Sequence, residues 1–183
     1  MLVVDDEPAV RNVIQKLLGR EGWICVVAEA AEPALSFLDT RKFDLLVTDL
    51  NMPGLDGLEL VKRAHRAAPE LDAILMTAAP TLDTAIDAVN EGLHDYLVKP
   101  FTPQTLLTVL GRWRREWELR EVLRDTEARM DEALTEMFKS LQTLAATLAA
   151  GKDREKAMSV LIRARELAGA VERLRPFTRK DGR

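Results

Sequence analysis

Leu45-Leu-Val-Thr-Asp-Leu-Asn-Met-Pro-Gly54 is the stretch whose reading decides the fold. Three branched apolar residues lead to a threonine and an aspartate, and Pro-Gly breaks the run soon after. So short a segment, stopped by turn residues, reads as a strand, and its lack of polar alternation means that both of its faces are covered. Working outward, similar runs lie at 2–4, 24–28, 73–77 and 96–98. Helical apolar spacing fills the gaps at 8–19, 33–41, 57–67 and 81–91, and a fifth helix starts near Pro103. Gly22, Gly54, Gly57 and Gly92 mark the joints. Strands alternating with helices define an α/β fold, a doubly wound five-stranded parallel sheet. In such a sheet the ligand site lies beyond the carboxyl ends of the strands.

Chemistry-bearing side chains fall at those ends. Asp5 and Asp6 follow the first strand, Asp49 ends the third, Thr77 ends the fourth and Lys99 follows the fifth. Crowded carboxylates repel one another and need a cation, and a hard oxygen-ligated ion such as Mg²⁺ suits them. A cation, a lysine and a hydroxyl donor are the toolkit of phosphoryl transfer, which depends on positioning and charge neutralisation. Asp5 and Asp6 also suit capping of the first helix, and Thr77 also suits a plain strand residue. Cys25 reads as core packing, and His65 and His94 as exposed helix or loop positions.

Val4-Asp-Asp-Glu-Pro8, Thr48-Asp-Leu-Asn-Met-Pro-Gly54, the strand end at Thr77 and Lys99-Pro-Phe101 together resemble the signature of response-regulator receiver domains of two-component signalling. The resemblance covers about 1–110 and implies a flavodoxin-like receiver fold. It implies that Asp49 is the phosphoacceptor, taking a phosphoryl group from a phosphohistidine on a sensor histidine kinase. By the same resemblance Asp6, Asp49 and the Asn51 main-chain carbonyl would hold Mg²⁺, with Asp5 acting through water. Lys99 would pair with phosphoryl oxygens, Thr77 and Tyr96 would form the switch, and the bond to Pro100 would be cis. Such a domain is no enzyme proper, since it catalyses only its own phosphorylation and dephosphorylation. The sequence departs from the family at its start, where Met1 nearly abuts the first strand.

Beyond Pro103 the strand signal ends. Glycine and proline nearly vanish, and Leu106, Val109, Trp113, Leu123, Met130, Leu134, Met137, Leu141, Leu144 and Leu148 follow one 3-4 track. Ala149-Ala-Gly-Lys-Asp153 offers a helix stop and a new N-cap. A second track runs through Leu161, Ala164, Ala168 and Leu174. The expected organisation is therefore a receiver at 1–110, a helical stalk with an antiparallel hairpin at 111–175 and a disordered tail at 176–183. A two-helix hairpin buries little surface alone. Pairing through the C-terminal helices into a homodimer would complete a four-helix bundle; the alternative is a hairpin folded back on its own receiver.

Charge agrees with two different parts. Residues 1–102 carry 9 Lys and Arg against 17 Asp and Glu, and 103–183 carry 17 against 13, for a formal net charge of −4 over 183 residues. The acidic first part disfavours nucleic acid there. With one cysteine, no apolar run of membrane length and no signal-peptide pattern, a cytoplasmic location is the default expectation. No helix-turn-helix or nucleotide-binding glycine loop follows the receiver, and 95–183 lack histidine, which excludes a phosphohistidine relay in the hairpin. The favoured reading is a receiver that switches a dimeric, partner-binding stalk, its downstream protein partner unidentified. The alternatives are a fragment of a longer regulator with an effector domain beyond Arg183, and a DNA-binding regulator using basic residues around 112–129.

Overall fold

The computed structural model describes residues 1–149 and 154–174, with the backbone alone at 83, 85, 87, 145, 149, 154, 157 and 171–174. The turn expected at 150–153 and the tail expected at 176–183 lie outside the described residues. Two compact units are present, Met1–Trp113 and Arg114–Arg183.

The first unit alternates strand and helix throughout: β1 Leu2–Val4, α1 Pro8–Arg20, β2 Val26–Ala28, α2 Ala31–Thr40, β3 Leu45–Asp49, α3 Gly57–Ala67, β4 Asp72–Thr77, α4 Leu82–Asn90 and β5 Asp95–Val98. The sheet is parallel with order β2-β1-β3-β4-β5. All of β1 and β3 is buried. Leu46 joins Leu60, Val61 and Ala64 of α3 on one face, while Val3, Leu45 and Val47 are buried as well. Burial on both faces is why these strands read as unbroken apolar runs.

Local chemistry sets the helix starts. Pro8 opens α1 at a position that needs no N–H. Asp56 caps α3 by accepting the Glu59 N–H at 2.8 Å, a contact worth about 1 kcal/mol. β2 is shorter than the apolar run at 24–28 suggested: Ile24 is 86% exposed, and only its carbonyl is used, accepting from the Met1 ammonium at 2.9 Å. Cys25 beside it is half-buried rather than in the core. His65 is likewise half-buried, its Nε2 2.8 Å from the Leu71 carbonyl oxygen.

A long helix, α5 Pro103–Ala149, begins in the first unit and continues into the second, where α6 Arg154–Leu174 follows. The 3-4 track expected along α5 serves two separate purposes. Leu106, Val109 and Trp113 are buried within the first unit. Trp113 donates its Nε1–H to Asp72 Oδ2 at 2.6 Å and lies 5.9 Å from the Trp23 ring, so it is a core residue and not part of a stalk seam. In the second unit Leu144 and Ala164 are buried, and Arg163 donates to Glu136 at 2.9 Å. Leu134, Leu141 and Leu148, from the same track, stay exposed. None of the described helices is long and apolar enough to cross a membrane.

Candidate functional site

The chain runs outward from β1 to β2 and then returns to β3 on the other side of β1. A crevice opens at such a switch point, beyond the carboxyl ends of the strands. Asp5 leaves β1 there and Asp49 is the last residue of β3. One carboxylate oxygen from each of Asp5, Asp6 and Asp49 lies within 4.8 Å of the others. Main-chain bonds carry the pairing past the strand ends: Leu50 N–H donates to the Met76 carbonyl at 2.7 Å, and Lys99 N–H to the Thr77 carbonyl at 2.7 Å. These bonds fix where the Asp49 and Lys99 side chains set out.

Lys99 is the compensating cation. Its Nζ sits 2.6 Å from Asp5 Oδ2 and 3.2 Å from Asp49 Oδ2. Asp5 is fully buried, and its other oxygen accepts the Glu7 N–H at 2.9 Å. Arg11 donates to the Asp5 main-chain carbonyl at 2.6 Å. Burial pushes the Asp49 carboxyl above the usual carboxylate range, and the Lys99 ammonium offsets only part of that push. For Lys99, burial pulls its pKa down, but Asp5 and Asp49 outweigh it and hold the ammonium above its ordinary value.

Three carboxylates facing one ammonium leave an uncompensated negative charge, and every donor is a hard oxygen. That donor set fits Mg²⁺. Asp5 has both oxygens engaged, by Lys99 and by the Glu7 N–H, whereas Lys99 meets only one oxygen of Asp49, so Asp6 and Asp49 are the carboxylates with more freedom to hold an ion directly. Asn51 lies just beyond β3 and is exposed.

The remaining expected residues lie along the next two strands, β4 and β5. Thr77 is buried at the end of β4, and its Oγ1 accepts the Ala79 N–H at 3.2 Å. Tyr96, half-buried on β5, brings its hydroxyl to 3.2 Å from Thr84 Oγ1 on α4. The Lys99–Pro100 peptide is cis. Thr84 also closes a reciprocal pair at the start of α4: Thr81 N–H donates to Thr84 Oγ1 at 3.0 Å, and Thr84 N–H to Thr81 Oγ1 at 3.1 Å.

Three contributors escaped the sequence reading. Arg11 looks like any exposed helix charge, and nothing in its spacing announces the bond to Asp5. Thr84 carried only a partial signal: Thr81, three residues before it, is a favoured N-cap type, but the position that usually holds Glu or Gln in a capping box is a threonine here. Gly57 was read as punctuation, yet its position beneath Asp49 is a packing requirement: a Cβ there would run into the Asp49 carbonyl.

An open sheet of this order, with acidic side chains and a lysine converging at its switch point, defines a receiver domain. The response regulator receiver domain family matches residues 1–111, and the chain belongs to that family. Among curated relatives it is 39% identical over 110 residues to the DNA-binding transcriptional regulator NtrC of Proteus hauseri, covering 60% of this chain and 23% of that protein. It is 38% identical over 112 residues to the response regulator protein FleR of Pseudomonas aeruginosa, covering 61% and 24%. It is 32% identical over 142 residues to the transcriptional regulatory protein TrcR of Mycobacterium tuberculosis, covering 75% and 55%. The chain thus spans about a quarter of the length of the first two. A CheY-like receiver domain protein from Methanospirillum hungatei JF-1 superposes with a TM-score of 0.62 at 29% identity, over 64% of this chain and 94% of that one.

Proposed function

We propose that this chain is the phospho-accepting part of a two-component system, with Asp49 as the acceptor and a sensor histidine kinase as the donor. The observation that carries this reading is the placement of Lys99 between Asp5 and Asp49, at 2.6 and 3.2 Å, in a cluster of three carboxylates. One Asp49 oxygen forms a bond to phosphorus as the bond from phosphorus to the kinase histidine nitrogen breaks, and the electron pair leaves with the imidazole. Lys99 is positioned to meet phosphoryl oxygens that arrive beside Asp49. Mg²⁺, held by Asp6, Asp49 and the Asn51 carbonyl with Asp5 acting through water, would neutralise charge on those oxygens. Burial raises the Asp49 pKa by disfavouring its charged form, and a bound cation would favour the carboxylate that attacks phosphorus.

Thr77 and Tyr96 are the switch in this reading. Thr77 turns its hydroxyl to the phosphoryl group, and Tyr96 leaves Thr84 as it turns inward. The gained contacts shift a two-state arrangement of α4, β5 and α5. The output is carried by the helical unit, which pairs with a second copy and presents a surface to a downstream protein. A second reading is that the receiver serves an effector that acts on DNA, by analogy with the DNA-binding regulator NtrC, which the chain matches over its receiver part. Salt-dependent DNA affinity of the whole protein separates the two readings.

Labelling with acetyl phosphate and Mg²⁺, read by intact mass, tests the central assignment. Wild-type protein gains one phosphoryl group, and Asp49→Ala gains none. Undiminished labelling of Asp49→Ala overturns the reading.

A further inference from the structure

The second unit is a hairpin with two unlike sides. Side chains advance about 100° per residue around a helix, and burial fixes the reference direction. On α5, Met137 and Leu144 share the direction that faces α6, and on α6 Ala164 faces back. Leu144 and Ala164 are each only 7% exposed, and the Arg163–Glu136 bond at 2.9 Å holds the helices side by side. From that reference, Leu134, Phe138 and Leu141 lie roughly 80° around α5. Met158 and Leu161 are displaced in the same rotational sense on α6. Because the two helices run in opposite directions, equal senses of rotation put both groups on one side of the hairpin.

That side is apolar and uncovered. Phe138 is 63% exposed, Met158 55%, Leu161 47% and Leu141 43%. With residue 163 level with residue 136, these four residues stand at nearly the same height. The opposite side carries the Glu136–Arg163 pair together with Glu132, Lys156 and Ser159, all of them polar. A large apolar surface segregated in this way marks an interaction site.

We propose that this apolar side, centred on Phe138, Leu141, Met158 and Leu161, is where a second copy of the chain packs, making a four-helix bundle. The proposal rests on the reading above that the helical unit pairs, and it names the face and the orientation. Two observations favour a second copy as the occupant. First, the hairpin's own interface buries only Leu144 and Ala164 among its described side chains, far short of what two isolated helices need. An identical apolar side supplies the missing half, as a two-fold interface must. Second, the charges bordering the face are complementary under a two-fold axis along the bundle. That axis lays α5 of one copy over α6 of the other, bringing Asp131, exposed on α5, toward Arg165, exposed on α6 of the second copy. An axis across the bundle gives no such match.

The test uses the full chain and measures mass in solution across a concentration series. Wild type is a dimer. Phe138→Glu and Leu161→Glu each raise the dissociation constant by at least ~100-fold, since each puts a charge into the packed face. Lys156→Glu, on the polar side, leaves the constant unchanged. Asp131→Arg and Arg165→Asp each weaken the dimer by roughly 10-fold, and the double reversal restores it. Acetyl-phosphate labelling of every variant reports that the receiver is intact. If circular dichroism shows that a glutamate variant has lost its helix, the charge reversal decides. A dimer indifferent to all of these changes overturns the named face but leaves pairing standing. A monomeric wild type overturns both and assigns the face to the chain's own receiver or to a different protein.

Discussion

Adding one methyl group at Gly57 should disable the site without touching any charged residue. Gly57 is the first residue of α3, and its N–H donates to the Leu50 carbonyl at 2.9 Å. A Cβ at this position would overlap the Asp49 carbonyl oxygen and lie 2.9 Å from the Asp49 carbonyl carbon and 3.1 Å from Leu50 Cα. Carbon atoms are comfortable at about 3.5–4.0 Å, and the overlap with the oxygen is tighter still, so α3 would have to retreat by roughly 1 Å or more. The obstructing atoms belong to the backbone of a fully buried strand, which cannot swing aside as a side chain would. Retreat loosens Leu60, Val61 and Ala64 in the core and strains the Asp56 cap. Overpacking of this kind costs about 1–3 kcal/mol, and partial loss of the cap adds about 1. Gly57→Ala should therefore lower stability in urea by roughly 2–4 kcal/mol and slow acetyl-phosphate labelling through displacement of Asp49. Gly19→Ala is the control. Near the end of α1 a Cβ meets nothing within 4 Å, and alanine should add about 0.5–1 kcal/mol. A Gly57→Ala protein that unfolds within 0.5 kcal/mol of wild type would show that β3 and α3 do not approach as described.

Asp49 has a raised pKa when folded, so the folded state holds the proton more tightly than the unfolded chain does, and stability falls as pH rises from the ordinary carboxylate range through the raised value. Asp49→Asn should accordingly raise the melting midpoint at pH 7 without metal, the gain should vanish below the ordinary carboxylate pKa, and Mg²⁺ should erode it by stabilising wild type alone; calorimetry at three pH values checks this. Lys99→Ala leaves the buried Asp5 carboxylate without its ammonium and should cost about 3 kcal/mol in urea unfolding at pH 7. Wild-type Lys99 contributes fully below its ordinary pKa and loses that contribution only as pH rises through the raised value. Trp113→Phe keeps the ring against Trp23 but deletes the bond to Asp72. A loss of about 1–2 kcal/mol is expected, and a neutral result would mean that water satisfies Asp72 equally well.

The fold was legible because burial on both faces leaves an unmistakable mark. Val3, Leu45, Val47 and Ile74 are apolar in succession with their neighbours since each strand has helices above and below. Site positions were legible for a related reason: parallel strands deliver their last residues to one edge, so Asp5, Asp49, Thr77 and Lys99 could be grouped from strand ends alone. What escaped depended on distances that spacing does not encode. The run at 24–28 looked like a full strand, but Ile24 and Cys25 precede the pairing of β2 with β1, which starts at Val26. Trp113 fitted a heptad, yet indole reach and the Asp72 acceptor draw it into the core. On α5 a 3-4 track is wide enough to serve two directions. Only the placement of α6 reveals that Leu144 is buried while Leu134, Leu141 and Leu148 stay exposed.

Thr84 offers a last consequence. A single hydroxyl oxygen closes the N-terminal turn of α4 and also meets the Tyr96 phenol. The oxygen accepts the Thr81 N–H, while its single proton can go to the Thr81 carbonyl, 3.0 Å away, or to the Tyr96 oxygen, but not to both. Any rotation of the Tyr96 ring is thereby felt as a change in how firmly the first turn of α4 is wound, with no bulky side chain needed as an intermediary.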